Sequence, residues 1–136
     1  MAGVPPSAQS RGPGPWLRSR VERLGYAAEG VRVLVATQPH ARLHLAATAL
    51  VLAAGWAGGL ERWEWAAVAL ASGMVWTAEA VNTAAEWIVD LAHPAWGARA
   101  GRIKDVAAGA VLLAAVSAAA VGVIVFGPRL LQEFGM

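Results

Sequence analysis

Three carboxylates and one amide recur along a single predicted helical face near the middle of the chain. The four residues, spaced three, four and four apart, are Glu79, Asn82, Glu86 and Asp90. At about 100° per residue they fall within roughly 80° of arc on an α-helix. An ionised side chain at the centre of a bilayer costs about 2.5–3.5 kcal/mol, so carboxylates in an apolar helix need a compensating partner. A cation, a metal ion or a polar substrate would serve, and a structural polar seam between helices is the alternative.

The composition of the chain indicates a membrane protein. Of the 136 residues, 57% are hydrophobic and 15% are charged, whereas soluble domains have about 45–50% apolar and about 25% charged residues. There is no cysteine, which excludes disulfides and thiolate chemistry. The patterns GxxxxGK[ST] and GxGxxG are also missing, so a nucleotide site here could be neither a P-loop nor a Rossmann fold.

One amphipathic helix and three spans are predicted to position the polar residues. Residues 1–15 are rich in Pro, Gly and Ser, and we expect them to be disordered and not to form a signal peptide. Residues 16–37 have the pattern of an amphipathic helix at a membrane interface or on the surface of its own domain, and Pro39 should end this helix. Long apolar runs predict spans separated by a polar turn and followed by a short tail. The three predicted spans are 43–60, 65–91 and 106–127. The polar turn is 61–64 and the tail is 129–136.

The distribution of Lys and Arg predicts the orientation of these spans. Six basic residues precede the first span, one lies in the first connection, three lie in the second, and one follows the third span. Because basic residues are retained in the cytoplasm, we expect a multi-pass protein with a cytoplasmic N-terminus and an external C-terminus. If the second span enters from outside near Trp65, Glu79 lies about 21 Å into a core of roughly 30 Å. The rest of the polar face and the Lys104-Asp105 pair would then lie at the cytoplasmic surface.

The stretch 79–90 reads E-x-x-N-T-A-x-E-x-x-V-D and is followed by Lys104-Asp105. This long pattern resembles the prokaryotic diacylglycerol kinase and undecaprenol kinase family, and with weaker matches upstream the resemblance covers residues 16–126. It implies an all-α integral membrane domain at 16–128 in the bacterial cytoplasmic (inner) membrane. It also implies an ATP- and Mg²⁺-dependent kinase that phosphorylates the hydroxyl of a membrane lipid, either undecaprenol or diacylglycerol. We expect a homotrimer with sites between subunits, as in the family, and no nucleic-acid partner.

The resemblance also implies roles for individual residues. Phosphoryl transfer needs cations on the phosphates, carboxylates that hold Mg²⁺, and a base for the acceptor hydroxyl. Glu79 matches the base, and burial of a carboxylate favours proton uptake. Glu86 matches a Mg²⁺ ligand, and Tyr26 matches a nucleotide contact. Lys104 would neutralise charge on the transferred phosphoryl group, and Asp105 would position Lys104.

Two positions depart from the family pattern. The second metal-binding glutamate of the family corresponds to Gln38, whose amide oxygen can ligate Mg²⁺ but carries no charge. The early arginine of the family falls on Ser19 in direct register, and we assign it to Arg20. The predicted site comprises the catalytic Glu79, the supporting Asn82 and Asp90, the metal ligands Glu86 and Gln38, and the nucleotide contacts Arg20, Tyr26, Gln38, Glu86, Lys104 and Asp105.

The remaining polar residues have simpler interpretations. Asn82 is expected to orient Glu79 or a phosphate. Asp90 is expected to cap the helix end or to pair with Arg99 or Arg102, and these arginines could also serve only as the cytoplasmic charge signal or as a lipid-headgroup patch. His40 and His44 are spaced i, i+4, as in some metal sites. Pro39 and the lack of a third ligand argue against metal binding there.

Two other classes of function stay open from the residues alone. A catalytically weak or degenerate kinase, acting as a non-enzymatic membrane protein or helical scaffold, is favoured by Gln38. A small ion-conducting oligomer lined by Glu79 and Glu86 is the other class. Neither accounts for the Lys104-Asp105 pair. The amino-acid sequences at 82–84 and 42–44 resemble the undecaprenol branch of the family more closely than the diacylglycerol branch.

Overall fold

The computed structural model describes residues 15–95, 97–133 and 135. Within these ranges the chain forms helices and no strand, which confirms the predicted all-α class. The chain divides into two compact units, Met1–Val33 and Leu34–Met136. We predicted disorder for residues 1–15, and residues 1–14 lie outside the described part of the chain. The four helices are α1 (Pro15–Thr37), α2 (Pro39–Ala57), α3 (Arg62–Ala92) and α4 (Ala98–Glu133).

The first unit contains most of α1, and most of the apolar side chains described in it are exposed. Leu24 and Val31 both have more than half of their surface accessible. Glu29 and Arg32 form an exposed ion pair of 3.5 Å one helical turn apart. Apolar and charged positions therefore both face the surroundings, as on a helix that lies at a membrane interface.

The break between α1 and α2 consists of one extended residue followed by a proline. Gln38 has φ −104° and ψ 116°, and Pro39 lies in the first turn of α2, where its missing N–H removes no hydrogen bond. Arg42 covers the end of α1, because its Nε donates to the Val35 carbonyl oxygen at 3.1 Å and its Nη2 to that of Ala36 at 2.5 Å. Helix ends leave such carbonyls without intrahelical partners. The predicted end of the first helix before Pro39 is confirmed.

The bounds of α2 and α3 differ from those of the predicted spans. Helix α2 begins four residues before position 43, since proline is compatible with a first helical turn, and it ends at Ala57. Helix α3 begins three residues before position 65 because Glu61 and Glu64 form a reciprocal capping box. The Glu64 carboxylate accepts from the Glu61 N–H at 2.7 Å. The predicted polar turn at 61–64 is thus largely the first turn of α3.

Helices α3 and α4 form an antiparallel pair joined by an ion pair at each end. Asp90 contacts Lys104 at one end, and Glu64 contacts Arg129 at the other. Helix α4 is longer than the predicted 106–127, and it continues through Pro128 to Glu133. The predicted tail at 129–136 therefore begins inside a helix, because Arg129 is anchored to α3.

One described helix is both long enough and apolar enough to cross a membrane. It is α4, over Ala98–Gln132. Helix α2 carries Arg42 and His44 in its first turns, and α3 carries Glu79 and Asn82, and these side chains lower the hydropathy of both helices. Large apolar side chains such as Leu70 are nevertheless widely exposed on all three helices. These surfaces suit contact with lipid or with another subunit.

Candidate active site

The predicted polar face of α3 runs from the interior of the helical bundle to one of its ends. Glu79 is 3% exposed and Asn82 is 9% exposed, whereas Glu86 is half-buried and Asp90 is exposed. The helical spacing alone explains why these residues share a face. The increase in exposure along the face follows from the way in which α3 packs against its neighbours. The result is a gradient from a buried carboxylate to a solvent-accessible one.

The buried carboxylate faces a histidine of α2. His44 Nε2 lies 3.8 Å from Glu79 Oε2, and the two side chains are 18% and 4% exposed. Helix α2 is tied to α3 nearby, because Trp76 Nε1 donates to Thr48 Oγ1 at 3.1 Å and Thr48 Oγ1 donates to the His44 carbonyl oxygen at 2.7 Å. Sequence reasoning considered His44 as a metal ligand and as part of the 42–44 segment, and it missed this contact. A lone histidine at the start of an apolar run was the available signal.

Asn82 orients Glu86 rather than Glu79. Its Nδ2 donates to Glu86 Oε1 at 3.0 Å, one turn further along α3. Asn82 Oδ1 and Thr83 Oγ1 are buried and lack a hydrogen-bond partner among the described residues. Leaving such a buried oxygen unpaired costs about 1–3 kcal/mol. Both residues lie between Glu79 and Glu86 on α3, so a polar ligand at this face could satisfy their oxygens. The motif alone assigned no role to Thr83.

Asp90 pairs with Lys104, and the prediction that it pairs with Arg99 or Arg102 was wrong. Lys104 Nζ lies 2.6 Å from Asp90 Oδ1. The ends of α3 and α4 meet at this level, so the antiparallel packing brings together residues fourteen positions apart. Lys104 is thereby held about one helical turn beyond Glu86. Asp105 is exposed beside it.

Two cavities surround the connection between α3 and α4. One of about 160 Å³ is lined by Asp90, Lys104 and His93, among others. The other, of about 350 Å³, is lined by His93 and Arg99 together with small residues of the connection. A few polar and basic side chains therefore line part of two largely apolar cavities, at the end of the bundle toward which the polar face of α3 opens.

A third cavity extends from His44 between the helices. It has a volume of about 290 Å³ and is lined by Thr48 and Val75 and by small residues of α4 such as Ala118 and Gly122. Its walls are mostly apolar. The cavity is therefore suited to a hydrocarbon chain whose polar end lies at His44.

The residues assigned upstream lie in different surroundings. Gln38 is half-buried between α1 and α2, and its side chain makes no capping hydrogen bond. Tyr26 and Arg20 are exposed residues of the first unit. Among the residues described, no three His, Asp or Glu side chains gather into a cluster that could hold a metal ion by itself. Mg²⁺ is commonly held by one or two carboxylates together with water and phosphate oxygens, so a cation at Glu86 would need further oxygen ligands.

An ion pair that sequence reasoning missed lies at the other end of α3. The Arg129 guanidinium donates to both oxygens of Glu64, at 2.7 and 2.6 Å, and its Nε donates to the Gly58 carbonyl oxygen at 3.2 Å. The hydrogen bond from Arg129 holds the pKa of the Glu64 carboxyl below its usual range, and the Glu61 N–H acts in the same direction. The same hydrogen bond raises the pKa of Arg129. This forked contact joins α4 to α3 and to the turn after α2.

We expect Arg129→Ala to lower the thermal unfolding temperature in micelles by several degrees, because it leaves the buried Glu64 carboxylate without its cationic partner. Arg129→Lys should recover part of the loss, since an ammonium lacks the planar fork. The folded-state pKa of Glu64 is depressed. Its contribution to the free energy of unfolding is therefore fully present above the usual glutamate pKa of about 4.3. That contribution is lost as the pH falls through the lower folded-state pKa. The wild type should therefore lose stability in that acidic range more steeply than Arg129→Ala. Arg62→Ala, an exposed change at the same end, is the control, and equal acid sensitivity of wild type and Arg129→Ala would contradict the prediction.

Comparison with known proteins identifies the family. Residues 25–126 match the family described as prokaryotic diacylglycerol kinase. The chain is 34% identical over 105 residues to the undecaprenol kinase of Bacillus subtilis, covering 77% of this chain and 85% of that protein. It is 41% identical over 108 residues to the diacylglycerol kinase of Synechocystis sp., covering 79% of this chain and 62% of that protein. With its helical fold and a buried carboxylate face within the matched range, the chain belongs to the prokaryotic diacylglycerol kinase family, a family of bacterial membrane lipid kinases.

Proposed function

We propose that this protein transfers the γ-phosphoryl group of ATP, with Mg²⁺, to the hydroxyl of a membrane lipid alcohol. One observation carries the proposal: the buried Glu79 lies on the same face of α3 as the half-buried Glu86, two helical turns nearer the α3–α4 connection. A base in apolar surroundings can meet a lipid hydroxyl, while the shallower carboxylate can meet a phosphate donor that arrives from water. Membership of the family supports the same class of reaction.

In this proposal Glu79 accepts the proton of the lipid hydroxyl while the hydroxyl oxygen bonds to phosphorus. The oxygens of Asn82 and Thr83 that lack partners are placed to receive hydrogen bonds from a bound substrate at the same face. Burial of Glu79 excludes water, which would otherwise compete with the lipid for the phosphoryl group. The apolar cavity that begins at His44 would hold the hydrocarbon chain of the lipid next to this base.

The donor set at Glu86 fits a magnesium ion that arrives with phosphates. Glu86 provides a carboxylate oxygen, which the hydrogen bond from Asn82 holds in place, and hard oxygen ligands are those that Mg²⁺ prefers. The contacts of His44 with Glu79 and of Thr48 with Trp76 set the antiparallel register of α2 and α3. If this register continued for six residues, Gln38 would lie level with Ala85 along the bundle axis, which supports the proposal that it is near Glu86. When bound, Mg²⁺ would supply positive charge at the phosphate oxygens.

Lys104 is the proposed cation for the transferred phosphoryl group. Its ion pair with Asp90 holds the ammonium at the end of the polar face, beside the cavities around the α3–α4 connection. Lys104 is partly exposed, so a phosphate can approach it from water. Tyr26, Arg20 and Asp105 complete the proposed nucleotide contacts, and family resemblance alone supports these three assignments.

The lipid acceptor is expected to be undecaprenol, with diacylglycerol as the second candidate. The Bacillus relative named undecaprenol kinase is matched over 85% of its length, and the Synechocystis relative named diacylglycerol kinase over 62% of its length. Purified protein in micelles should therefore transfer labelled phosphate from ATP to undecaprenol faster than to diacylglycerol. If neither lipid is labelled, the proposed function fails.

We further propose that α2, α3 and α4 span the cytoplasmic membrane, over the predicted ranges 43–60, 65–91 and 106–127. The two ion pairs at the ends of α3 and α4 lie 26 residues apart on α3, or about 39 Å along the helix axis. That separation exceeds the hydrocarbon thickness of about 30 Å and approaches the full bilayer thickness of about 40–45 Å. Both charged pairs would thus lie in the headgroup regions, with Lys104 inside and Arg129 outside.

The proposed topology predicts the location of fused reporters. A reporter placed before Met1 should be cytoplasmic, and one placed after Met136 should be external, because three spans separate the termini. Alkaline phosphatase and green fluorescent protein fusions report opposite sides of the membrane and provide the measurement. If both termini report the same side, an odd number of spans is excluded.

The exposed apolar surfaces of the three helices support assembly into a homotrimer, which native mass spectrometry in micelles would test.

Gln38 favours the alternative that the protein is a weak or degenerate kinase. At this position a glutamate would add negative charge near Glu86, so Gln38→Glu should lower the Mg²⁺ concentration for half-maximal activity several-fold if Gln38 lies at the metal site. A silent wild type that becomes active as Gln38→Glu would establish the degenerate alternative. A weaker Mg²⁺ response in Gln38→Glu than in an active wild type would remove Gln38 from the site. The matched control is Gln132→Glu, the same change at the opposite end of the bundle.

A further inference from the structure

The base proposed for this reaction has one titratable neighbour in the described part of the chain. His44 Nε2 lies 3.8 Å from Glu79 Oε2. On α4, the segment from Val106 to Gly127 contains no ionisable residue that could face Glu79. On α3 itself, the buried side chains of the next turn, Asn82 and Thr83, are neutral.

The other charged groups of these helices are held elsewhere. Lys104 is paired with Asp90 about three turns from Glu79, and Arg42 donates to carbonyl oxygens at the end of α1. Glu86 lies two turns away and is bonded to Asn82. His40 lies one turn before His44 and is exposed. Among the described residues, His44 is therefore the one titratable group close enough to exchange a proton with Glu79.

A buried base must lose its proton before the next turnover. The Glu79 side chain is 4% exposed, so water has little access to its oxygens, whereas the His44 side chain is 18% exposed. Imidazole accepts and releases protons near neutral pH more readily than any other side chain. A separation of 3.8 Å between nitrogen and oxygen becomes a hydrogen bond after a small side-chain rotation.

We propose that His44 is the positioning and proton-relay residue of Glu79. In each turnover the O–H bond of the lipid alcohol breaks, its oxygen bonds to the γ-phosphorus, and the bond from that phosphorus to the bridging oxygen of ATP breaks. The bridging electron pair leaves with ADP. The proton passes from the hydroxyl to Glu79, then to His44 Nε2, and from the imidazole to water. This inference rests on the proposed lipid kinase function.

The surrounding contacts hold the relay in position. The Thr48 hydroxyl donates to the His44 carbonyl oxygen and accepts from Trp76 Nε1. Trp76 lies on α3 less than one turn from Glu79, so a single chain of hydrogen bonds fixes the turn that carries His44 against the turn that carries the base. His44 also lines the apolar cavity proposed for the lipid chain, which places its ring beside the incoming hydroxyl.

The test compares His44→Ala and His44→Gln with the wild type in the micellar assay, and His40→Gln is the matched control. We expect His44→Ala to lower kcat by about 100-fold, at the lower end of typical acid–base effects, while KM for ATP changes less than about twofold. The pH–rate profile of His44→Ala should differ from that of the wild type, because the proton of Glu79 would then have to leave without the imidazole. Added imidazole should restore part of the rate in His44→Ala and should not change His40→Gln.

A second measurement keeps the test independent of turnover. Thermal unfolding of wild type, His44→Gln, Glu79→Gln and the double variant should show an effect of the double variant that differs from the sum of the single ones, as for residues in contact. An active wild type whose rate and pH profile are unchanged in His44→Ala would overturn the inference and leave the kinase function intact. A loss of rate that imidazole does not restore, together with additive stabilities, would also overturn it. A wild type that labels no lipid would remove the proposed function and the relay together.

Discussion

Glu79→Gln is expected to lower kcat by about 100-fold or more while ATP still binds. The amide has nearly the shape of the carboxylate, so packing at this buried position is preserved, but it cannot accept the proton of the lipid hydroxyl. The nucleotide contacts are proposed for the end of the bundle, at least two helical turns away, so they should be unaffected. Turnover of labelled ATP with lipid in micelles and equilibrium binding of an ATP analogue provide the two measurements.

Glu61→Gln is the matched control, because it makes the same change on the same helix at its opposite end. It should retain near-normal turnover, since Glu61 caps α3 and accepts a hydrogen bond from Trp63 Nε1, far from the proposed site. A Glu79→Gln protein that keeps more than about a tenth of wild-type activity would remove Glu79 from the role of base. In that case the buried carboxylate would be part of a structural polar seam between helices.

Glu86→Ala is expected to raise the Mg²⁺ concentration required for half-maximal activity by about 10-fold or more and to weaken ATP binding in parallel. The metal and the phosphates are bound as one unit, so removal of a metal ligand affects both. Asn82→Ala should produce a smaller change in the same direction, because its Nδ2 orients the Glu86 carboxylate. Activity is measured against Mg²⁺ at fixed ATP, with Glu61→Ala as the control. An unchanged Mg²⁺ titration in Glu86→Ala would exclude Glu86 as the ligand.

The candidate site could be predicted from the sequence mainly where its residues lie on a single helix. Glu79, Asn82 and Glu86 share a face because an α-helix turns by about 100° per residue, whatever surrounds it. The break at Pro39 was equally local, since proline restricts the residue before it. The length of α4 could not be predicted in this way, because hydropathy follows the hydrocarbon layer and not the end of the helix.

Contacts between helices were beyond sequence reasoning. Asp90 was expected to cap the helix end or to pair with Arg99 or Arg102, and the structure pairs it with Lys104. The choice depends on the rotation and register of α3 against α4, which are set by side-chain packing along the whole pair. Arg129 was likewise placed in a predicted tail, because no local sequence pattern connects it with Glu64, which lies 65 positions earlier.

The sequence by itself therefore determined the helical class, the family and the polar face of α3, all of which depend on local spacing and on the long motif at 79–90. The tertiary structure alone decided that His44 faces Glu79 and that Asn82 orients Glu86. The packing of many apolar residues determines which side chains meet across two helices. The spacing of a few polar residues in the sequence does not contain that information.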